Sequence, residues 1–152
     1  MKKMALLAAL LMVPALALAD GLDKNIEMLR SDLRTTKVSL LTESLGMTEA
    51  QSSKFWPIQR EYETALASLQ DQRIALIKDY ANNFDSLTDA KATELMNKAI
   101  KLDEQRNALI KKYAARASKE VSPKIGARYY QVEKFVQSLI DVQIRGEVPL
   151  VP

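Results

Sequence analysis

The chain contains no cysteine and no histidine. The first absence excludes disulfides and any thiol nucleophile. Together they exclude His/Cys zinc sites and the Ser-His-Asp and Cys-His catalytic arrangements. Glycine is scarce, with four residues, as are proline, with five, and aromatic side chains, with one Trp, five Tyr and three Phe. The four glycines are isolated, so no glycine-rich phosphate loop exists. A low Gly and Pro content beside abundant Ala, Leu, Lys, Glu and Gln favours long helices over a many-stranded β fold. The 152 residues suit one domain. The overall charge is nearly balanced at +3, from 22 basic and 19 acidic residues.

The first nineteen residues read as an export signal. Lys2 and Lys3 precede an unbroken apolar run from Met4 to Ala19, and Ala17-Leu18-Ala19 is a small-residue cleavage site. A charged start, a short apolar core and a small-residue exit are the parts of a secretory signal. The run of 16 residues is shorter than the roughly 20 needed to span a bilayer, which argues against an anchor. No Cys follows the cleavage site, so lipoprotein attachment is excluded. The expectation is a chain starting at Asp20, with a charge of +1, delivered to an oxidising compartment where the lack of thiols is an advantage.

From there the pattern is helical throughout. A first stretch from about Leu22 to Leu45 places Ile26, Leu29, Leu33 and Leu40 on one face. Thr35 and Thr36 weaken it, a break there is expected, and Gly46 is a natural left-handed stop. Thr48-Glu49-Ala50-Gln51 is a capping box that opens a second helix. Its stripe is Phe55, Ile58, Tyr62, Leu66, Leu69, Leu76 and Tyr80. Pro57 lies inside that pattern, where a kink near Lys54 to Trp56 is expected, and the helix should end near Asn82-Asn83. Thr88 caps a third helix with Asp89 in its first turn. Lys91 stands where the box needs Gln. The third stripe is Leu95, Ala99, Leu102, Leu109 and Tyr113. Ser122-Pro123 opens a fourth helix with the broadest apolar face: Ile125, Tyr129, Val132, Phe135, Val136, Leu139 and Val142. Gly146 is expected to end it, leaving residues 147–152 as an extended tail that docks an apolar groove or hangs free. The organisation is thus a cleaved signal over 1–19, a helical domain over 20–146 and the tail.

An internal repeat joins helices two and three. Leu69 to Ala81 aligns with Leu102 to Ala114 at an offset of 33 residues, with nine of thirteen positions identical. The capping threonines Thr48 and Thr88 are offset by 40, and the difference of seven residues is two helical turns. Arg73 and Arg106 fall at matching places on the two stripes. The expected arrangement packs their aliphatic stems and lets the guanidinium groups reach water, the alternative being a functional pair.

Little in the sequence carries chemistry. Acidic neighbours such as Asp103-Glu104 and Glu61/Glu63 diverge around a helix, and no ligand spacing suggests a metal site. A non-enzymatic protein without cofactor is expected. Charge is patterned, however. From Gln105 to Arg128 there are seven basic residues, Arg106, Lys111, Lys112, Arg116, Lys119, Lys124 and Arg128, against the single acid Glu120. This stretch is either a solvated helix face or a surface that attracts acidic protein segments or an anionic membrane face. Nucleic acid, the usual partner of such a stretch, is rarely met by an exported protein. Tyr129-Tyr130 follow directly and add aromatic contact or core packing.

Export, helicity and the φ-Thr-x-x-Gln box at Met47-Thr48-Glu49-Ala50-Gln51, with a weaker copy at Leu87-Thr88-Asp89-Ala90-Lys91, together resemble the Spy/CpxP-like LTxxQ-motif family of periplasmic proteins. Phe55-Trp56-Pro57-Ile58-Gln59-Arg60-Glu61-Tyr62-Glu63 is similar to the FWP…EYE stretch of one branch of that group. Residues 123–135 and the Val148-Pro149-Leu150-Val151 tail share the likeness. The resemblance implies an all-α, elongated four-helix hairpin-like fold with long second and third helices, forming a curved homodimer. It implies an ATP-independent chaperone for unfolded envelope proteins or, alternatively, a regulatory subunit for a sensor or other folded envelope partner in stress signalling. A lipid or small-molecule carrier with a groove between helices is a third reading. Some relatives bind zinc; this chain departs from them in having no His or Cys.

Overall fold

The computed structural model describes residues 34–152. The signal segment, the expected start at Asp20 and the first-helix positions Ile26, Leu29 and Leu33 lie outside the described residues. The chain divides into two units, 1–41 and 42–152. Among the described residues there are four α-helices and no strand. In the first unit residues 34–41 are helical, and Lys37 and Leu41 are buried. This helix, α1, covers 34–45 and runs through Thr35 and Thr36 without the expected break. Two β-branched residues lower helix propensity by only a fraction of a kcal/mol each, roughly 0.5.

In the second unit Gly46 ends α1 at φ 57°, the left-handed conformation that a side chain disfavours. α2 spans Glu49–Asn83, α3 spans Asp89–Glu120 and α4 spans Pro123–Glu147. A 3-10 turn, Phe84–Ser86, joins α2 to α3. The caps follow from local chemistry. The Thr48 hydroxyl accepts from the Gln51 N–H at 3.3 Å, and the Gln51 side-chain oxygen accepts from the Thr48 N–H at 3.0 Å. Thr88 accepts from the Lys91 N–H at 3.2 Å, and Ser122 from the Ile125 N–H at 3.2 Å with Pro123 in the first turn. Each bond satisfies one of the amide donors that a helix start leaves open. α2 continues through Pro57 and stops at Asn83. α4 ends one residue beyond Gly146, at Glu147.

α3 packs against both α2 and α4. Its pairing with α2 is an antiparallel hairpin, tied at one end by Arg116 to Glu61 and at the other by Lys91 to Asp79. The core where the three helices meet is aromatic. Tyr62 lies edge-on to Tyr113 and Tyr129, at 5.6 and 5.9 Å between ring centres, and Phe55 lies edge-on to Tyr129 at 5.2 Å. These are preferred aromatic geometries. Ile58, Leu66, Ile110, Ala114, Ala117, Ile125 and Val136 complete it, while Leu95 is buried at the other end of α3, one turn past Lys91. The small residues Ala114, Ser118 and Gly126 let α3 and α4 approach closely: a Cβ on Gly126 would lie 2.7 Å from the Ala114 carbonyl oxygen and the Ser118 backbone nitrogen.

The α2 stripe is as read from the sequence in its first half; Leu69, Leu76 and Tyr80 are half-buried. Two other stripes are corrected. On α3, Ala99 is exposed, and Ile110 rather than Leu109 is fully buried. On α4, Phe135, Leu139 and Val142 are exposed, while Glu133 and Gln137 are buried. The face of α4 that meets both α2 and α3 is rotated from the most apolar face, because α4 must satisfy two neighbours at once.

Candidate functional site

The seven basic residues between 106 and 128 separate into two groups. The three arginines have internal partners. Arg106 donates from Nη1 to Asp141 Oδ1 and from Nη2 to Asp141 Oδ2, both at 2.8 Å, and from Nη2 to Asp103 at 3.0 Å. Arg116 donates to Glu61 and, at 2.7 Å, to Glu120. Arg128 donates to the Leu45 carbonyl at 3.0 Å, placing a cation at the negative C-terminal end of α1. The four lysines, Lys111, Lys112, Lys119 and Lys124, are exposed. Lys112 lies over the Tyr113 ring with its nitrogen 5.3 Å from the ring centre. Two of the seven positive charges, those of Arg106 and Arg116, are therefore paired with carboxylates in place, Arg128 is held at a helix end, and the exposed members are the four lysines.

Titration follows these pairings. The Arg116 hydrogen bond holds the Glu61 carboxyl below its ordinary range, and the Glu61 and Glu120 bonds raise Arg116. Burial pushes the Asp141 carboxyl up, but the hydrogen bonds from Arg106 and Arg73 outweigh it and bring its pKa down to about 2.

Arg73 also reaches Asp141, from Nη1 to Oδ1 at 2.7 Å. The two repeat-related arginines thus converge on one carboxylate of α4 rather than extending into water, which corrects the expectation for their side chains. Lys91, the departure from the second capping box, is likewise used: its ammonium bonds Asp79 at 2.9 Å and Glu94 at 3.3 Å, and so fastens the start of α3 to the end of α2.

The sequence reading missed a polar cluster in the aromatic core. Glu133 is fully buried. Gln137 donates from Nε2 to the Tyr62 hydroxyl at 3.1 Å, and buried Gln59 donates to Glu63 at 2.8 Å. Burial, reinforced by the nearby Glu133 charge, raises the pKa of both Tyr62 and Tyr129. The available signal was spacing: Glu133 continues Ile125 and Tyr129 at four-residue steps. Glu133 and the tyrosines are closed off from solvent, so the cluster offers no access to a substrate; it fixes how α4 sits on α2.

The outward face of α4 is different in kind. Lys124, Phe135 and Val142 are separated by 11 and 7 residues, whole numbers of turns, with Leu139 beside them. Phe135 is 52%, Leu139 39% and Val142 73% exposed, and Tyr130 on the same helix is 44% exposed. α3 adds exposed Met96 and Ile100. A separate groove of about 360 Å³ runs between α2 and α3, lined by Gln72, Leu76, Asp79, Lys98, Lys101 and Leu102 among others. Its mixed charged lining is unlike the largely apolar wall that a lipid cavity requires. No group of three or more potential metal ligands occurs among the described residues, and no helix among them is long and apolar enough to cross a membrane. Compared with known proteins, the chain matches no family model, no curated protein and no solved structure.

Proposed function

We propose that this chain is an exported, non-enzymatic protein-binding protein, an ATP-independent chaperone-like binder of unfolded envelope proteins that works in the periplasm as a homodimer. The observation that carries the reading is the outward face of α4, where Phe135, Leu139 and Val142 stand exposed in line with Lys124. Unfolded chains present both apolar and acidic segments. A surface with apolar side chains for contact and lysines for attraction suits them without demanding one sequence. Lys111, Lys112 and Lys119 are exposed on α3 and add positive charge to the surface. The resemblance of Thr48–Gln51, the FWP run and the leader to the LTxxQ group supports the same reading; Thr48 and Gln51 serve it as a cap, since their side chains are engaged by each other's backbone.

The test is suppression of aggregation of two unrelated unfolded proteins. The chain is expected to protect both, and Phe135→Gln with Val142→Gln is expected to lose most of that protection while keeping the helical signal. Absence of protection for either protein overturns the reading. Protection absent but saturable binding to one folded partner instead marks the regulatory subunit.

A further inference from the structure

The last buried residue of α4 is Gln137. From residue 138 to the end of the helix no side chain is fully buried: Ile140, Asp141, Gln143 and Ile144 are half-buried and the rest exposed. Two polar attachments fasten this stretch and the tail to α2 and α3. One is the Asp141 carboxylate between Arg73 and Arg106; the other is the Tyr80 hydroxyl, which donates to the Pro149 carbonyl at 3.0 Å. Leu150 and Val151 beyond it are 90% and 61% exposed. The first attachment is the stronger. Arg106 makes two parallel bonds to the carboxylate and Arg73 a third, all charge-assisted. Both arginines come from the repeated segment, one from each copy, whereas the carboxylate comes from outside it. The repeat therefore builds a two-guanidinium seat, and α4 supplies the anion that fills it. The seat is not saturated, since Arg106 Nε is buried without a hydrogen-bond partner.

We propose that Arg73 and Arg106 form a carboxylate-receiving site for which Asp141 is an exchangeable self-ligand. Residues 138–152 detach as a strap, and an acidic residue within an apolar helical segment of another protein takes the seat. The pattern it accepts is the one it holds now, Leu139-Ile140-Asp141-Val142, an acid with apolar neighbours on both sides. Detachment surrenders no fully buried apolar side chain, which makes this the least stable part of α4. It leaves two guanidiniums facing the position the carboxylate vacates, with Asp103 bonded to one of them, an arrangement that attracts a carboxylate. Asp141 lies on a different side of α4 from Phe135 and Val142; the strap carries Leu139 and Val142 with it, but the peptide and exchange readings below need no client bound to them.

The probe is a fluorescently labelled peptide of residues 137–152, added to the full chain. Asp141→Asn weakens the self-ligand, so the peptide should bind that variant at least tenfold more tightly than the unaltered chain. Peptide carrying Asp141→Asn should bind at least tenfold more weakly, and adding Arg73→Gln and Arg106→Gln to the protein should abolish binding. Hydrogen exchange supplies the second reading. In the Asp141→Asn protein, amides 138–147 should exchange at least tenfold faster while 123–137 are unchanged. Three results overturn the proposal: unchanged exchange over 138–147, an equal rise over 123–137, or peptide affinity that ignores Asp141 and the two arginines.

Discussion

Two glycine-to-alanine substitutions in one helix should have opposite effects. At Gly126 an added Cβ would stand 1.9 Å from the Ser118 hydroxyl oxygen and 2.7 Å from both the Ala114 carbonyl oxygen and the Ser118 backbone nitrogen. The hydroxyl can rotate away. The two backbone atoms belong to α3 and cannot move alone, so α3 and α4 must separate by roughly half an ångström or more to reach ordinary contact. Overpacking of this kind costs about 1–3 kcal/mol. Alanine regains about 1 kcal/mol of helix propensity over glycine. The separation also loosens Tyr113 and Tyr129, which meet Tyr62 nearby, so the net effect of Gly126→Ala should be a loss of about 1–2 kcal/mol. At Gly146 nothing lies within 4 Å of the added Cβ. There the propensity gain stands nearly alone, reduced by fraying near the helix end, and Gly146→Ala should stabilise by roughly 0.5 kcal/mol. Urea unfolding of both variants followed by circular dichroism measures the difference through the midpoint. A Gly126→Ala protein as stable as Gly146→Ala would refute the close approach of α3 and α4.

Thr48→Ala should lose roughly 1 kcal/mol by thermal unfolding, because the capping box is closed in both directions, and its client binding should be unchanged at temperatures where it stays folded. Arg106→Gln should destabilise more than Arg73→Gln, by about 1 kcal/mol in denaturant unfolding, since Arg106 makes two bonds to Asp141 and one to Asp103 while Arg73 makes one to Asp141. The Asp141 pKa is depressed to about 2, below its ordinary value of 3.8. Its contribution is therefore present in full above the unfolded value and is lost as pH falls from about 4 toward 2. Unfolding measured across that window should show a shallower decline for Asp141→Asn than for the unaltered chain.

What the sequence made legible was local. Thr48 with Gln51, Thr88, Ser122 with Pro123, and Gly46 each act through residues within four positions, so their spacing alone predicts helix starts and the first stop. The cross-helix destinations of Arg73, Arg106, Arg116 and Arg128 were not legible: Asp103 and Glu120 lie within four residues on α3, but Asp141, Glu61 and the Leu45 carbonyl lie on other helices, and a charge count along the chain carries no information about them. Glu133 was hidden for a related reason. Periodicity places the apolar centre of α4 near Val132 and Leu139, with Phe135 and Val142 at its edge, but the helix packs on two neighbours at once and turns a glutamate inward with Tyr129. The same rotation leaves Phe135, Leu139 and Val142 outside, so the surface proposed for binding became visible only where pattern and packing disagree. Ala99 follows the same logic on α3: it fits the stripe by spacing but lies beyond the part of α3 that carries the aromatic core.

The central claim is that unfolded proteins are captured by exposed lysines and then held by apolar contact. Exposed charges act over about 10 Å at 0.1 M salt and about 3 Å at 1 M. The direct measurement is stopped-flow association with an acidic unfolded protein, across that salt range, for the unaltered chain and for a variant with Lys111→Glu, Lys112→Glu and Lys119→Glu. The account predicts an on-rate that falls with salt and falls again, at low salt, in the variant, while the off-rate stays nearly constant. An on-rate indifferent to both salt and the three substitutions would contradict it.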